Sequence, residues 1–312
     1  MPTQIDSGAG DTTNTIAGVV PVVPTPFLPT SEDIDEPALR RLIDFAVQTG
    51  AAAVCLPAYG SEFYKLTETE RLRVVEIAVD HAHGRLPVIA QCNHGSATVA
   101  ASFAQQSSNA GASVVSFALP RQFPLTDTDL LAYAQTVCNA VQVPVLMQDW
   151  NPAGSAIGAE FCSELLTRSP NFRYVKLEEP HMGAKVRAII HATAGRVGVF
   201  EGWGGLYMME LAPTGITGIM PGLALADMFV CVWQHLHDGN AGQASTEFQK
   251  LAPWLAFSLS DMEFFNAMEK RLLVARSLLP HDTLRCPTVT IDGDTLNYAD
   301  TLIHQIIAQS SP

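Results

Sequence analysis

Eight short apolar or β-branched runs alternate with longer segments of helical period along most of this chain. The runs cover residues 18–23, 52–56, 87–91, 113–118, 144–148, 172–177, 197–200 and 215–220. Helical periodicity predicts helices over residues 36–49, 68–82, 97–109, 127–141, 159–167, 182–194, 205–212 and 226–238. Apolar strands separated by helices are typical of a parallel sheet covered on its outer face. Eight such units predict a closed (β/α)8 barrel, an α/β fold of the TIM-barrel type, because that fold needs about 250 residues.

The two ends of the chain differ from this repeating pattern. Residues 1–14 are rich in Gly, Thr, Asp and Asn, and we interpret them as a flexible N-terminal tail. Residues 15–240 form the predicted barrel. Helical period returns over 244–257, 262–278 and 297–307, so residues 241–312 are predicted to form a C-terminal helical extension packed on the barrel.

Charge and hydropathy narrow the range of partners. The chain carries 18 Lys and Arg against 31 Asp and Glu, a formal net charge of −13. This charge repels phosphate backbones and anionic lipid surfaces, so we expect neither nucleic acid nor membrane as a partner. No apolar run reaches the roughly 20 residues that span a bilayer, and the first residues do not resemble a secretion signal. We expect a cytoplasmic protein that acts on a small molecule.

Cysteine and histidine give no metal-binding pattern. The six cysteines lie far apart without a CxxC pair, and the nine histidines include no HExxH. We interpret the cysteines as buried free thiols. The sequence predicts no metal site and no organic cofactor.

The sixth apolar run carries the candidate chemistry. Side chains alternate between the faces of a strand, so Val175 and Leu177 are expected to face the outer helices, while Lys176 and Glu178 point into the barrel. Barrel enzymes keep their catalytic groups at this carboxyl end of the strands. A lysine in an apolar barrel loses solvation, which leaves a neutral amine that can attack a ketone and form an imine. A surface ion pair at the end of a strand is the alternative.

The order and spacing of several motifs resemble the dihydrodipicolinate synthase and N-acetylneuraminate lyase superfamily of class I lyases. The motifs are GVVPVVPTPF at 18–27, AYGSEFYKLTETER at 58–71, NPAG at 151–154, RYVKLEEP at 173–180, FEGWGG at 200–205 and GITGIMPG at 215–222. The resemblance implies that Lys176 forms the Schiff base. It also implies that the loop with Tyr59, Gly60 and Ser61 binds the carboxylate of a 2-keto acid through backbone N–H groups. Relatives are commonly dimers or tetramers, so a homodimer or homotetramer is expected.

Departures from the family pattern favour one branch of it. Asp149 stands where synthases and sialate lyases have a proton-relaying tyrosine, and the arginine that follows the next proline in synthases is missing. Arg121 and Gln122 replace a tyrosine pair of the synthases. The QD pair followed by KxE resembles the sugar-acid dehydratases, in particular L-2-keto-3-deoxyarabonate dehydratase, in which a glutamate at the position of Glu178 moves protons.

The resulting hypothesis assigns roles to ten residues. Lys176, Glu178 and Asp149 are the catalytic candidates, and the substrate-binding candidates are Tyr59, Gly60, Ser61, Gln148, Glu201, Ile219 and Met220. Trp150 and Trp203 are interpreted either as walls of the pocket or as packing, and His94 either as a substrate contact or as a solvated loop residue. We expect dehydration of a 2-keto-3-deoxy sugar acid. A pyruvate-dependent aldolase or a dihydrodipicolinate synthase-type condensation is the first alternative, and a keto-acid-binding regulator without activity is the second. A metal-dependent aldolase lacks candidate ligands apart from His94.

Overall fold

The computed structural model of the chain describes residues 16–151 and 154–309. The expected tail of residues 1–14 lies outside the described residues. Within them, eight parallel strands form one sheet in the ring order β1-β8-β7-β6-β5-β4-β3-β2. The strands are β1 Gly18–Val19, β2 Val54–Leu56, β3 Val88–Gln91, β4 Val114–Ala118, β5 Val145–Asp149, β6 Phe172–Leu177, β7 Gly198–Glu201 and β8 Gly218–Ile219.

Backbone hydrogen bonds close the ring between its first two strands. Ala52 N–H donates to the carbonyl of Val19 at 2.8 Å, and Cys55 N–H donates to that of Pro21 at 3.0 Å. Val23 N–H then donates to the carbonyl of Cys55 at 3.0 Å. The predicted (β/α)8 barrel is therefore confirmed, although β1 and β8 are much shorter than the apolar runs that contain them. These runs continue as bridges and loops at the rim, as at Val22, which bridges to both Cys55 and Gly222.

Eleven helices accompany the strands in the part of the chain that is described. They are α1 Glu36–Thr49, α2 Glu68–Ala82, α3 Ala97–Asn109, α4 Asp127–Asn139, α5 Ala159–Arg168, α6 Gly183–Ala192, α7 Met208–Leu211, α8 Ala226–His237, α9 Ala241–Ser258, α10 Met262–Ala275 and α11 Gly293–Gln309. The expected capping box at the start of α2 is present, with Thr67 and Glu70 exchanging side chain to backbone hydrogen bonds. The seventh helix is shorter than expected, because residues 204–207 form a turn before it and residues 212–214 form a 3₁₀ helix after it.

Alternation along β6 divides the core into two layers. Val175 and Leu177 pack in the large apolar layer between the strands and the helices, as expected. Tyr174 packs inside the barrel with Phe200 and Met220. This arrangement leaves Lys176, which follows Tyr174 by two residues, directed into the barrel at the carboxyl end of β6.

The C-terminal helices hold the rim of the barrel. Helix α9 packs on α8, and α10 packs on the turn formed by Tyr59–Ser61. The Lys270 ammonium on α10 lies 2.5 Å from the Glu62 carboxylate beside that turn. Arg285 lies 2.5 Å from Glu70 at the start of α2. Buried and half-buried ion pairs thus connect the C-terminal extension to the segment from Glu62 to Glu70, which follows the turn that is expected to bind substrate.

Two general features complete the description. No helix within residues 16–151 and 154–309 has both the length and the apolar character needed to cross a membrane. All six cysteines are free thiols; four of them are buried, Cys231 is half-buried and Cys286 is exposed.

Candidate active site

A cavity opens at the carboxyl ends of the strands, above the barrel interior. Its walls come from several strand ends and from the loop between α9 and α10. The residues lining it are Val22, Ala58, Tyr59, Gly60, Gln148, Trp150, Lys176, Glu178, Gly202, Trp203, Gly204, Met220, Pro221, Gly222, Leu259, Ser260, Asp261, Met262 and Phe265. Of the ten residues predicted for the site, the structure brings together six here: Lys176, Glu178, Tyr59, Gly60, Gln148 and Met220.

Lys176 and Glu178 form a close pair on the floor of this cavity. The Lys176 residue is only 7% exposed, and its Nζ lies 2.9 Å from Oε1 of Glu178. Gly202 makes this packing possible. A Cβ at position 202 would lie 2.5 Å from Cγ of Glu178 and 2.8 Å from Cε of Lys176, closer than real Cβ atoms approach such groups. Gly202, the first glycine of the EGWGG motif, therefore leaves the space that the Lys176 and Glu178 side chains occupy.

A chain of carboxamides supports the Glu178 carboxylate from below. Gln148 Nε2 donates to Oε1 of Glu178 at 2.5 Å. Gln148 Oε1 in turn accepts a hydrogen bond from Nε2 of Gln91 on β3. The same oxygen of Glu178 thus receives both the Lys176 ammonium and the Gln148 amide, which fixes the carboxylate against the lysine.

The turn after β2 presents backbone donors to the cavity. Ser61 N–H donates to the carbonyl of Ala58, and Glu62 N–H donates to that of Tyr59. The N–H groups of Tyr59 and Gly60 open this 3₁₀ turn and make no hydrogen bond to any described residue. A carboxylate is the ligand that suits two such N–H groups. Gly60 also leaves room for α10, since a Cβ there would lie 3.0 Å from the Phe265 ring.

Tyr59 brings the one phenol that lines the cavity among the described residues. Its ring packs edge-on against Trp150, with centroids 5.7 Å apart. Burial raises the pKa of the Tyr59 phenol, and the nearby Glu178 carboxylate raises it further. The hydroxyl therefore stays protonated near neutral pH and acts as a donor or an acid rather than as a base.

Asp149 does not line the cavity, which differs from the expectation that it replaces the family's tyrosine there. The register pairs Gln148 with Lys176 and Asp149 with Leu177, so the aspartate points to the opposite face of β5. Its fully buried carboxylate receives Nε and Nη2 of Arg121 at 2.8 and 2.6 Å. It also accepts the N–H of Ile157 at 2.7 Å.

Three further predicted residues lie close to the cavity without lining it. The Ser61 hydroxyl donates to the carbonyl of Val23 at 2.6 Å, and its own carbonyl accepts from Thr25 at 2.8 Å. Ile219 packs in the outer apolar layer, because alternation along β8 turns Met220 inward instead. Both residues therefore have structural contacts where substrate contacts were expected.

Glu201 is the third of these residues and organises the loop above β7. Its buried carboxylate accepts the N–H of Gly205 at 2.8 Å and that of Tyr207 at 3.4 Å. Burial raises its pKa to about 7, partly opposed by these hydrogen bonds and by the positive charge of Lys176. Glu201 thereby holds the segment that carries Gly202 and Trp203 over the pocket.

Comparison with known proteins agrees with the fold and with the motifs of this site. Residues 15–306 match the model of the Dihydrodipicolinate synthetase family. The chain belongs to this family. It is 27% identical over 241 residues to L-2-keto-3-deoxyarabonate dehydratase of Azospirillum brasilense, covering 76% of this chain and 77% of that one. It is 32% identical over 130 residues to 4-hydroxy-tetrahydrodipicolinate synthase of Salinibacter ruber, covering 42% and 43%.

Solved structures of the dihydrodipicolinate synthetase family share the whole fold. The crystal structure of YagE from Escherichia coli K12 in complex with pyruvate superposes with a TM-score of 0.85 at 22% identity, covering 94% of this chain and 99% of that one. Dihydrodipicolinate synthase from Rhodopseudomonas palustris superposes with a TM-score of 0.86 at 23% identity, covering 93% and 97%. These likenesses establish the barrel. The protein is accordingly a lyase of this family.

The sequence did not point to the outer wall of the cavity. Leu259, Ser260, Asp261, Met262 and Phe265 belong to the C-terminal extension and face the pocket from the α9–α10 junction. Asp261 also caps α10, because its Oδ1 accepts the N–H of Phe264 at 2.9 Å. A contact between residues so distant along the chain leaves no periodic signal in the sequence. Trp150 and Trp203 do wall the pocket.

The residues that were weighed as metal ligands are dispersed. His94 lies in an exposed loop, where its Nδ1 accepts the N–H of Ser96 at 2.9 Å, and it does not line the cavity. In the described ranges, no three side chains of His, Cys, Asp or Glu converge as a set that could hold a metal ion.

Proposed function

We propose that the protein is a class I lyase that forms a Schiff base on Lys176 and dehydrates a 2-keto-3-deoxy sugar acid. The observation that carries this proposal is the 2.9 Å contact between Nζ of Lys176 and Oε1 of Glu178 in one cavity. The amine of Lys176 is the nucleophile. The Glu178 carboxylate lies beside it, within reach of the substrate atoms next to the new imine. The free N–H groups of Tyr59 and Gly60 receive the substrate carboxylate.

The proposed reaction proceeds in four steps. The neutral Lys176 amine adds to the C2 ketone, and the adduct takes up one proton from solvent and loses water to give an iminium ion. Glu178 then takes a proton from C3, and the electron pair of the C–H bond moves into the iminium to give an enamine. The enamine expels the C4 hydroxyl, which leaves as water with the proton that Glu178 received. Hydrolysis of the conjugated iminium ion consumes one water, regenerates the neutral Lys176 amine and returns the proton taken up in the first step, so the net change is the loss of one water.

The acid–base groups of the cavity favour dehydration over carbon–carbon cleavage. Retro-aldol cleavage requires a base for the proton of the C4 hydroxyl. Tyr59 is poorly suited to that task, because burial and Glu178 raise the pKa of its phenol. Asp149 is ion-paired with Arg121 and faces away from the cavity. Asp261 lines the outer wall of the cavity, where its carboxylate caps α10 by accepting the N–H of Phe264. Both steps of a dehydration, in contrast, can be carried out by a single carboxylate at the position of Glu178.

Two relatives support different members of this reaction class. The dehydratase of A. brasilense supports hydro-lyase activity, whereas the YagE crystal structure shows a related protein with pyruvate. An aldolase or a synthase-type condensation is therefore the second candidate function. A keto-acid-binding regulator is disfavoured, because binding alone does not require a buried amine beside a carboxylate. The expected homodimer or homotetramer stays a prediction.

Imine trapping with product analysis tests the proposal. Borohydride added together with pyruvate or a 2-keto-3-deoxy acid is expected to label Lys176, which peptide mass mapping locates. Lys176→Met is expected to abolish labelling. Lys250→Met is the control, because Lys250 pairs with Glu247 on α9 and does not line the cavity. A product lighter than the substrate by one water indicates dehydration, and release of pyruvate indicates cleavage. Labelling elsewhere, or none, refutes the Schiff base.

A further inference from the structure

Gln91 takes part in the hydrogen-bond chain of the site without lining the cavity. It ends β3, is 2% exposed, and pairs across the sheet with Ser116. Its Nε2 donates to Oε1 of Gln148, and Nε2 of Gln148 donates to Oε1 of Glu178. Two buried carboxamides thus connect the third strand of the barrel to the glutamate beside Lys176.

The chemistry of a carboxamide makes this chain directional. Each glutamine amide has one end that only accepts and one end that only donates hydrogen bonds. An ionised carboxylate only accepts, so Gln148 supports Glu178 only when its NH₂ group faces it. The oxygen of Gln148 then faces Gln91. A donor at Gln91 satisfies that oxygen, whereas an acceptor at Gln91 favours the reversed amide, which turns oxygen toward oxygen at Glu178.

We propose that Gln91 is a positioning residue: by donating to Gln148, it sets the direction of the Gln148 amide and thereby holds Glu178 against Lys176. This inference rests on the proposed function of Lys176 and Glu178. Among the described residues, Gln91 does not line the cavity, and its side chain donates to Gln148 and not to Glu178 or Lys176, so we assign its effect to Gln148. The Gln148 amide alone, with no donor behind it, can take either of two orientations, only one of which supports the carboxylate.

Several charged or titratable groups lie beside this hydrogen-bond chain. Arg71 of α2 reaches the backbone carbonyl of Gln91 through Nη2 at 3.4 Å. The other charged or titratable neighbours of the chain and of the lysine it serves are Lys176 and Glu178 at the end of β6, Cys55 on β2, Tyr59 after it, Cys92 after Gln91 and Glu201 at the end of β7. Burial raises the pKa of the Cys55 and Cys92 thiols to about 12 and also raises that of the Tyr59 phenol, so none of these three groups titrates near neutral pH. Burial raises the pKa of the Glu201 carboxyl to about 7, so its titration is common to the wild type and to every variant of Gln91, and only a limb added to the wild-type profile reports on Gln91.

Two substitutions separate direction from packing. Gln91→Glu keeps the shape of the side chain. At low pH its buried carboxyl group is protonated and donates to Gln148, as the glutamine does. As the pH rises and it ionises, it only accepts, and the Gln148 amide is expected to reverse. Gln91→Met removes the donor at all pH values while filling similar space.

Solvent deuterium exchange into the methyl group of bound pyruvate reports the proton step. For Gln91→Glu we expect a near-normal exchange rate at low pH. As the pH rises and the new carboxyl group ionises, the exchange rate is expected to fall by about 10- to 100-fold, because the loss of one hydrogen bond to a charged group has an effect of this size. Gln91→Met is expected to be slower at every pH without that limb. Borohydride trapping at Lys176 is expected to stay within a few-fold of wild type in both variants. Identical exchange profiles in all three proteins overturn the proposal.

A second measurement does not depend on activity. The side-chain amide resonance of Gln148, assigned by its loss in Gln148→Glu, is expected to shift with pH in Gln91→Glu but not in the wild type or in Gln91→Met. A resonance that does not move in Gln91→Glu also overturns the proposal. Failure of the wild type to form any imine refutes the proposed function instead and leaves this test of amide direction intact. If the methionine variant does not fold, the low-pH form of the glutamate variant provides the comparison.

Discussion

Replacing Glu178 with Gln is the sharpest test of which group moves the proton. The side chain is 9% exposed, and its Oε1 receives Lys176 at 2.9 Å and Gln148 at 2.5 Å. A glutamine oxygen can accept the same two donors, so Glu178→Gln preserves the packing around the lysine. It removes only the ability to take a proton. We therefore expect Lys176 still to be trapped by borohydride, while deuterium exchange at C3 and turnover fall.

The size of that fall follows from the role assigned to the carboxylate. General acid–base groups contribute about 10²- to 10⁴-fold in rate, which corresponds to about 3 to 5 kcal/mol of barrier. Glu179→Gln is the matched control, because it removes the same charge one residue away. Glu179 pairs with Lys185 at 2.5 Å and does not line the cavity, so its loss is expected to change kcat only a few-fold. Near wild-type exchange and turnover in Glu178→Gln would refute the reasoning and show that another group takes the C3 proton.

Four further outcomes follow from the structure. Gly202→Ala is expected to prevent imine trapping, because its Cβ would lie 2.8 Å from Cε of Lys176; unchanged labelling would contradict the packing argument. Arg121→Met is expected to lower the free energy of unfolding in urea by about 3 to 5 kcal/mol, since it leaves the Asp149 carboxylate buried and unpaired; a change below 1 kcal/mol would show that the pair is not needed. Burial raises the pKa of Glu201 to about 7, so the folded protein holds its proton longer than the unfolded chain and is destabilised as the pH rises from about 4.5 to 7. Glu201→Gln is expected to flatten that fall in the free energy of unfolding, which urea titrations at several pH values would measure; an unchanged slope would argue against an ionisable Glu201. Pyruvate and aspartate semialdehyde are expected to condense poorly in a coupled assay, and efficient condensation would mean that other residues replace the missing tyrosine and arginine.

The sequence predicted the barrel and the central pair because both depend on local patterns. Alternation along residues 172–177 was enough to direct Lys176 inward and Leu177 outward, and the structure agrees. Alternation alone did not show which residue of the pairs Gln148 and Asp149, or Ile219 and Met220, faces the cavity, because that depends on the register of the strands. The pairing of β5 with β6 shifts between Val145 and Leu146, and no pattern in the sequence indicates such a shift.

Long-range contacts account for the rest of what the sequence could not predict. The wall formed by Ser260 and Asp261 depends on how the C-terminal helices pack over the barrel mouth. The bond from Gln91 to Gln148 joins two strands 57 residues apart in the chain. Ser61 was expected to bind substrate through its backbone, yet its N–H closes a 3₁₀ turn onto Ala58. The motif pointed to a loop whose Tyr59 and Gly60 line the cavity, but it could not show which of the loop's N–H groups are already used.

Two departures from the family pattern, Arg121 and Asp149, contact each other in the structure. Arg121 in place of a tyrosine after β4, and Asp149 in place of the relay tyrosine after β5, are the two halves of a single bidentate ion pair. A buried aspartate without the arginine would carry an unpaired charge at a cost of several kcal/mol, so Asp149 depends on Arg121. The pair faces away from the cavity and removes a phenolic proton relay from it. Among the described residues, the carboxylate of Glu178 is then the one side chain in contact with the Lys176 amine that can both take and return a proton, as loss of water from a Schiff base requires.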